Sequence, residues 1–211
     1  MRSPRWLPWL VLIGAVSGLV LSFVWVSGSG PGPKSSAGPW GVTTGDGPVA
    51  SMAAAERAAD RFAERWGLDV GEVMEFSNGY YVELVTEEGS RATEVLVDPG
   101  SGAVQIEFGP ARMWNTTYGM MRARSAAGED AVSPDEAVEI ADDWLREHRR
   151  GLHAEEPEAF PGYFTLHVLK GERIVGMLSV NEATGAVWYH GWHGRFIRMQ
   201  ESDHAEPEVS P

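Results

Sequence analysis

The side chains of this sequence that could do chemistry are concentrated in one short stretch near the C-terminal end. His190, Trp192 and His193 stand there, directly after Trp188 and Tyr189. Imidazole nitrogens bind metal ions and exchange protons near neutral pH, and tryptophan rings supply large contact areas at binding surfaces. The stretch therefore raises two hypotheses, a metal site and a surface for a protein or peptide partner.

Strand alternation predicts which of these side chains share a face. A strand over 186–190 would place Trp188 and His190 opposite Val187 and Tyr189, and the apolar parity of 162–169 puts His167 on the same face as Trp188. The predicted partner-binding set is Tyr163, His167, Trp188, His190, Trp192 and His193.

Three interpretations of this face remain open. The face can pack against the rest of the protein, it can bind a partner, or His167, His190 and His193 can hold a metal together with Met177. Two histidines three residues apart at an irregular strand end are a weak metal signal. We therefore predict no resident metal or cofactor and keep the histidine set as the alternative.

Composition and motifs exclude several classes of function. The 211 residues carry a formal net charge of -13, which disfavours a nucleic-acid partner, because binding to phosphates requires clustered Lys and Arg. The sequence has no cysteine, so disulfides and thiolate chemistry are excluded. Nucleophile-elbow, zinc-protease, dinucleotide and P-loop motifs do not occur. We predict no catalytic residue and no enzymatic activity.

The elements that must position these residues form an internal repeat. The stretch 79–104 returns at 162–187 with a constant offset of 83 residues, and the offset extends back into the preceding helical patterns. A constant offset across a helix and several strands indicates two copies of one supersecondary unit.

Each copy has the pattern of a helix followed by an antiparallel meander. Apolar residues recur at helical spacing after Ser51 and after Ser133, and the sequence Ser133-Pro134-Asp135-Glu136 has the composition of a capping box. After each helix comes a connection without a clear pattern, and strands are then predicted over 79–87, 92–97 and 103–108, and over 162–169, 174–180 and 186–190. The face of the first copy that corresponds to Trp188 and His190 carries Gln105 and Glu107, so one sheet face is predicted to be acidic and the other aromatic and histidine-bearing. The predicted fold class is α+β, with two tandem units behind one N-terminal transmembrane helix.

The predicted hairpins of the two copies carry a shared motif, in which an Asp or Asn opens a tight turn and Gly102 or Gly185 is predicted to take positive φ. It reads Val97-Asp98-Pro99-Gly100-Ser101-Gly102-Ala103-Val104 in the first copy and Val180-Asn181-Glu182-Ala183-Thr184-Gly185-Ala186-Val187 in the second. A helix followed by strands with this motif resembles the PepSY domain of peptidase propeptides. The resemblance implies an extracytoplasmic, non-catalytic module that restrains a peptidase in propeptides.

The N-terminal region has the signature of a membrane anchor. Residues 6–26 carry no charge and follow Arg2 and Arg5, and as a helix they span about 31 Å, the thickness of a bilayer core. A cleaved signal peptide is the alternative, but the apolar run is longer than the usual one of about 7 to 15 residues. The predicted parts are a cytoplasmic stub 1–5, the anchor 6–26, a Gly/Pro/Ser tether 27–50, a first unit 51–108, a connector 109–132, a second unit 133–198 and a disordered acidic tail 199–211.

Together these patterns predict a single-pass cell-membrane protein with its folded units outside the cytoplasm. Its expected role is to bind or regulate an extracytoplasmic protein or peptide, for which a peptidase is the candidate suggested by the resemblance. The alternative is an envelope metal-binding protein that uses the histidines and Met177 of the second unit.

Overall fold

A computed structural model describes residues 43–120, 131–155 and 157–200. The predicted stub 1–5, the anchor 6–26, the first part of the tether and residues 201–211 of the tail lie outside this range. Within the described part of the chain, no helix has both the length and the apolar character needed to cross a bilayer.

The first unit is a helix followed by four strands. Its helix begins at Ser51, whose Oγ accepts a hydrogen bond from the Ala54 N–H. Its elements are α1 (Met52–Ala63), β1 (Asp69–Phe76), β2 (Gly79–Val85), β3 (Arg91–Val97) and β4 (Val104–Ile106), with the short α2 (Pro110–Met113) after them.

The second unit begins with the predicted capping box. The Ser133 Oγ accepts from the Glu136 N–H, and the Glu136 carboxylate accepts from the Ser133 N–H at 2.8 Å. Its elements are α3 (Pro134–His148), β5 (His153–Ala154), β6 (Glu158–Phe160), β7 (Tyr163–Lys170), β8 (Arg173–Asn181), β9 (Val187–Tyr189) and β10 (Phe196–Gln200). The α+β class and the antiparallel pairing are confirmed.

The strands form two antiparallel sheets. The first has the order β10-β1-β2-β3-β4, and the second has the order β5-β7-β8-β9 with β6 also paired to β7. Each helix covers one face of its own sheet, so that Phe62 of α1 packs with Val82, and Leu145 of α3 packs with Leu178. The other faces of the two sheets meet, for example where Met177 packs against Tyr81.

The first sheet contains a strand from the C-terminal end of the second unit. β10 pairs with β1, and the Arg198 guanidinium contacts the Glu75 carboxylate at 2.8 Å. β10 runs to Gln200, two residues beyond the predicted end of the second unit at 198. The two units therefore share one sheet, and the boundary between them is not a simple division of the sequence.

The offset of 83 residues does not match the faces of corresponding side chains in β2 and β7. The offset of 83 aligns Val82 with Thr165 and Glu83 with Leu166, yet Val82 and Leu166 face the helices while Glu83 and Thr165 face the interior. A slip of one residue reverses the face of every side chain in a strand. The register shifts between Leu84 and Val85 and between Val168 and Leu169, next to turns of different length, bring the two copies back to the offset of 83 in the following strands.

Three segments predicted as loops belong to the fold. Residues 43–49 were assigned to the tether, but Thr43 and Val49 donate backbone hydrogen bonds to the β3–β4 hairpin at 2.9 Å each. β1 lies in what was read as an unpatterned connection after the first helix. The described part of the connector, up to residue 120, contacts both units, since the Asn115 side chain bonds the Ala92 carbonyl and the Thr116 N–H bonds the Pro161 carbonyl.

The two hairpin glycines have the predicted conformation. Gly102 has φ 71° and Gly185 has φ 66°, in the left-handed region that side chains with a Cβ rarely adopt. At Gly102 a Cβ would also lie 2.6 Å from the Gly47 carbonyl oxygen. The turn prediction from the shared motif is confirmed at both positions.

Candidate metal centre

The layer between the two sheets is polar over much of its area. The first sheet directs carboxylates into it, and the second directs hydroxyl and imidazole groups, which matches the predicted contrast between an acidic face and an aromatic, histidine-bearing face. The carboxylates are Glu72, Glu83, Glu94 and Glu107, and the facing groups are Tyr163, Thr165, His167, Ser179 and His190. All nine residues are buried.

Glu94 lies at the centre of this layer and is fully buried. Its carboxylate accepts hydrogen bonds from the Tyr81 hydroxyl at 2.8 Å, the Tyr163 hydroxyl at 2.6 Å and the Thr165 hydroxyl at 2.8 Å. Burial and the nearby charge of Glu107 raise the pKa of Glu94 to about 7, against the lowering effect of its hydrogen bonds. Both units thus converge on one carboxylate.

A chain of hydroxyl groups leads from Glu94 to His190. The Thr165 and Ser179 hydroxyl oxygens are 3.0 Å apart, and Ser179 Oγ is 2.9 Å from His190 Nε2. When Glu94 is ionised, Thr165 donates its only proton to Glu94 and must accept from Ser179, which in turn accepts from His190 Nε2–H. The His190 Nδ1 atom of the neutral ring is then a free lone pair.

His190 is one of three potential metal ligands that lie together, and the other two are Glu107 and His193. One carboxylate oxygen and two ring nitrogens of these residues lie within 4.8 Å of one another. Glu107 Oε1 is 3.5 Å from His190 Nδ1 and 2.7 Å from His193 Nε2. These separations are near the roughly 3 to 3.4 Å expected between neighbouring ligands of one ion with bonds of about 2.1 Å.

Each member of this cluster has a buried ligand atom that is not hydrogen-bonded. Among the described residues, Glu107 Oε2, His190 Nδ1 and His193 Nε2 have no hydrogen-bond partner, and the 2.7 Å contact to His193 lacks hydrogen-bond alignment. The Glu107 and His190 side chains are 0% exposed and that of His193 is 5% exposed. Buried polar atoms are normally satisfied, so three in one place indicate a missing ligand or water.

Glu107 is ionised in this cluster. Burial by itself would raise its pKa, but the adjacent His190 and His193 rings lower the pKa to about 2. The Trp192 indole also donates to Glu107 Oε1 at 3.0 Å. Glu107 is therefore an anion at neutral pH with one oxygen still available.

The first unit holds the loop that carries the two histidines. The Asn78 side chain donates to the Trp192 carbonyl at 2.8 Å and accepts from the Gly194 N–H at 2.7 Å. The His193 ring stacks on Phe76 with centroids 4.3 Å apart. Contacts with the β1–β2 turn therefore position His193 beside Glu107, which follows β4.

The histidine and methionine set predicted from the sequence does not come together at one site. His167, Met177 and His190 lie on three adjacent strands, with Met177 paired to His167 and its carbonyl bonded to the His190 N–H. The Met177 side chain packs in an apolar cluster with Tyr81, and the ring of His167 contacts other carboxylates. The prediction of a single site is therefore wrong, because the buried apolar side chain of Met177 separates His167 from His190.

The predicted partner surface is mostly interior. Tyr163 is fully buried, His167 and His190 are 7% and 1% exposed, and Trp188 is 39% exposed. His190 is not accessible, because the face opposite the helix packs against the first sheet. A partner-binding role for this set stays a prediction.

The ligand that the sequence reasoning missed is a carboxylate of the first unit. Glu107 stood on the predicted acidic face, but no pattern linked residues 107 and 190. Only the pairing of the two units brings these residues together.

Comparison with known proteins found no matching family model, no matching curated protein and no matching solved structure. The resemblance to the PepSY domain therefore rests on the motif residues and stays a prediction.

Proposed function

We propose that this protein is a membrane-tethered, non-catalytic binding module whose folded part holds a divalent metal ion between its two units, at Glu107, His190 and His193. The observation that carries the proposal is the group of three buried ligand atoms without hydrogen-bond partners, described above. This function retains the metal-binding alternative derived from the sequence, with Glu107 in place of His167 and Met177.

The donor set suits a borderline first-row ion. Two imidazoles and one carboxylate bind Zn²⁺ and other divalent transition ions, whereas Ca²⁺ and Mg²⁺ prefer sites made of oxygen atoms. The Ser179 contact to His190 Nε2 supports the assignment, because ligating histidines usually donate their second ring N–H to a neighbouring group.

The burial of the site favours a structural role for the ion over a catalytic one. A catalytic zinc site leaves a coordination position open to substrate, whereas Glu107 and His190 are 0% exposed. An ion here would join β4 of the first unit to the loop after β9, and so hold the two units together. Its binding would stabilise the folded state by mass action.

The proposal also includes a membrane topology and a location for the folded units. The uncharged run 6–26 and the flanking Arg2 and Arg5 support a single-pass anchor with the folded units outside the cytoplasm. Protease added to intact cells should then digest the folded part and leave a short membrane-embedded fragment. Full protection of residues after the anchor would reverse this orientation.

The metal proposal is tested by titrating zinc into the full-length chain, purified in detergent and stripped with a chelator, with isothermal calorimetry. We expect binding tighter than about 10 µM, which corresponds to roughly 7 kcal/mol. His193→Gln removes one ligand and should weaken binding by about tenfold or more. His153→Gln, at an exposed histidine outside the cluster, is the matched control and should bind like the wild type.

Two results would remove the proposal. One is wild-type affinity weaker than about 10 µM, and the other is unchanged affinity in a folded His193→Gln variant. Cobalt substitution in the wild type gives an independent readout, because the visible spectrum of Co²⁺ reports nitrogen ligation even if a variant fails to fold.

The second candidate function, binding of an extracytoplasmic protein or peptide such as a peptidase, is supported by a small exposed aromatic patch. Trp188 is 39% exposed and Phe108 41% exposed, and both lie beside Gly109, where their edge strands end. Under this function Trp188→Ala should abolish capture of the partner with little change in melting temperature. Unfolding of the variant would instead assign Trp188 to packing, as its contact with Trp114 indicates.

A further inference from the structure

We propose that Glu72, Glu158 and His167 form a second divalent-cation site, separate from the buried one and open to solvent. The site adds an exchangeable ion to the proposed function and does not depend on it, since the two sites share no residue. Its ligands again come from both units, Glu72 from β1, Glu158 from β6 and His167 from β7.

The geometry resembles that of the first cluster. One potential ligand atom from each of the three residues lies within 4.8 Å of the others. His167 Nε2 is 3.6 Å from Glu72 Oε1, which is close to the separation of about 3.4 Å expected between neighbouring ligands of a tetrahedral ion. The other ring nitrogen, His167 Nδ1, faces Glu155 at 3.6 Å. A carboxylate behind a ligating histidine is the usual supporting arrangement.

The distribution of unsatisfied atoms indicates the same ligands. In the described part of the chain, eight buried side-chain nitrogen and oxygen atoms have no hydrogen-bond partner, and two of them are threonine hydroxyls. The other six are one atom from each member of the two clusters. In the second cluster they are Glu72 Oε1, Glu158 Oε2 and His167 Nε2. The Glu72 side chain is 7% exposed and that of His167 is 8% exposed, so water reaches these atoms only through the opening they line.

The charge around the second cluster is not balanced by protein groups. Glu72, Glu83, Glu155 and Glu158 bring four carboxyl groups together, and burial and the neighbouring Glu158 raise the pKa of Glu83 well above its ordinary value, so that the anionic surplus comes mainly from the other three. The neighbouring cationic groups are Arg91, which contacts Glu83 and Glu158, and His167 when protonated. A surplus of anionic groups in a partly buried place is costly unless a cation compensates it.

The surroundings distinguish this site from the first. Glu72, Glu158 and His167 line a cavity of about 440 Å³ that opens to solvent, together with Glu155, Arg91 and Met199. A bound ion could keep water ligands there and exchange with the medium. Two carboxylates, one imidazole and room for water suit a harder ion than the buried site does, and Mn²⁺ fits that donor set.

The test titrates Mn²⁺ into the chelator-stripped, full-length protein in detergent and follows free hexaaqua Mn²⁺ by electron paramagnetic resonance. We expect one bound Mn²⁺ per chain at this site, with affinity reduced by about tenfold or more in Glu72→Gln. Glu75→Gln, on the same strand but in a surface ion pair with Arg198, is the matched control and should bind like the wild type.

His193→Gln separates the two proposals, because it should weaken zinc binding at the buried site and leave Mn²⁺ binding unchanged. In the wild type, absence of zinc binding with Mn²⁺ binding present, or the reverse, would overturn one proposal and keep the other. No bound Mn²⁺ in the wild type, or equal affinity in a folded Glu72→Gln variant, would overturn the second site. A crystal soaked in Mn²⁺ gives a readout without variants, since an anomalous peak between Glu72, Glu158 and His167 is expected.

Discussion

Glu94 affects the stability of the fold and is also linked by hydrogen bonds to the candidate site. It is fully buried, accepts three hydroxyl donors and is connected through Thr165 and Ser179 to the His190 ring. The titratable groups around it are Tyr81, Tyr163 and Glu107. A carboxylate in this position is costly when ionised, and its hydrogen bonds offset part of that cost.

The raised pKa of Glu94 predicts a fall in stability with rising pH. The folded-state pKa of about 7 exceeds the ordinary value of 4.5, so the folded state keeps a proton that the unfolded chain loses between these two values. The free energy of unfolding should therefore decrease as pH rises from 4.5 to about 7, by at most about 1.4 kcal/mol per pH unit. Glu94→Gln should remove the Glu94 contribution and make the decrease shallower, as measured by urea unfolding in the presence of a chelator, while Glu83, whose pKa burial also raises well above its ordinary value, still contributes.

The control for this prediction is Glu139→Gln, at an exposed carboxylate on α3. Its pH profile should parallel that of the wild type, because any other group that titrates in the window is unchanged. A Glu94→Gln profile parallel to the wild type would mean that Glu94 does not titrate in this range.

β10 has a larger structural role than its short length suggests. It extends the first sheet beyond β1 with residues from the end of the second unit, and its Phe196 ring contacts Phe76 edge-on at 5.9 Å. It also holds the end of the loop that carries His193. The strand therefore connects the loop that carries His190 and His193 to the first sheet.

Phe196→Ala should destabilise the protein by about 1 to 2 kcal/mol, less than the 3 to 5 kcal/mol typical of a fully buried phenylalanine, because the ring is only partly buried. Ile197→Ala, at a side chain that is 45% exposed, should change stability by less than about 0.5 kcal/mol. Urea unfolding monitored by circular dichroism measures both. Equal effects of the two substitutions would show that the Phe196 contact does not hold β10 in place.

Prediction of the elements succeeded where local signals were strong. The capping box at Ser133 and the hairpin turns at Gly102 and Gly185 are set by contacts within a few residues, and all three are confirmed. β1 was missed because it is buried on both faces and directs Glu72 into the interior, so it lacks a simple alternation. β10 was missed because its partner strand lies more than 100 residues earlier in the chain.

The two units are built around one shared interior. They share the first sheet through β10, a polar interior centred on Glu94, and a loop bonded to the β1–β2 turn. Removing one unit would expose the buried carboxylates of the other to solvent. Each unit by itself would lack the facing sheet that covers its inner side.

Both units should therefore unfold in one transition. Fluorotryptophan labelling with fluorine NMR can report Trp66 beside α1 and Trp144 on α3 separately, with each signal assigned by a Trp→Phe variant. We expect the two urea midpoints to coincide with each other and with circular dichroism. Two separated midpoints would mean that the interface between the units contributes little to stability.

The amino-acid sequence by itself determined the fold class, the two-unit plan and most element boundaries, because capping, turns and hydrophobic periodicity depend on neighbours along the chain. It also determined which face of β7 and β9 carries the histidines. Only the tertiary structure decided that this face is interior, that the strand pairs of the two copies slip by one residue, and that Glu107 joins His190 and His193. The first and third of these outcomes depend on contacts between residues far apart in the chain, such as Glu107 with His190, for which no local pattern in the sequence exists. The slip depends on bulges beside the turns, which the repeat pattern does not reveal.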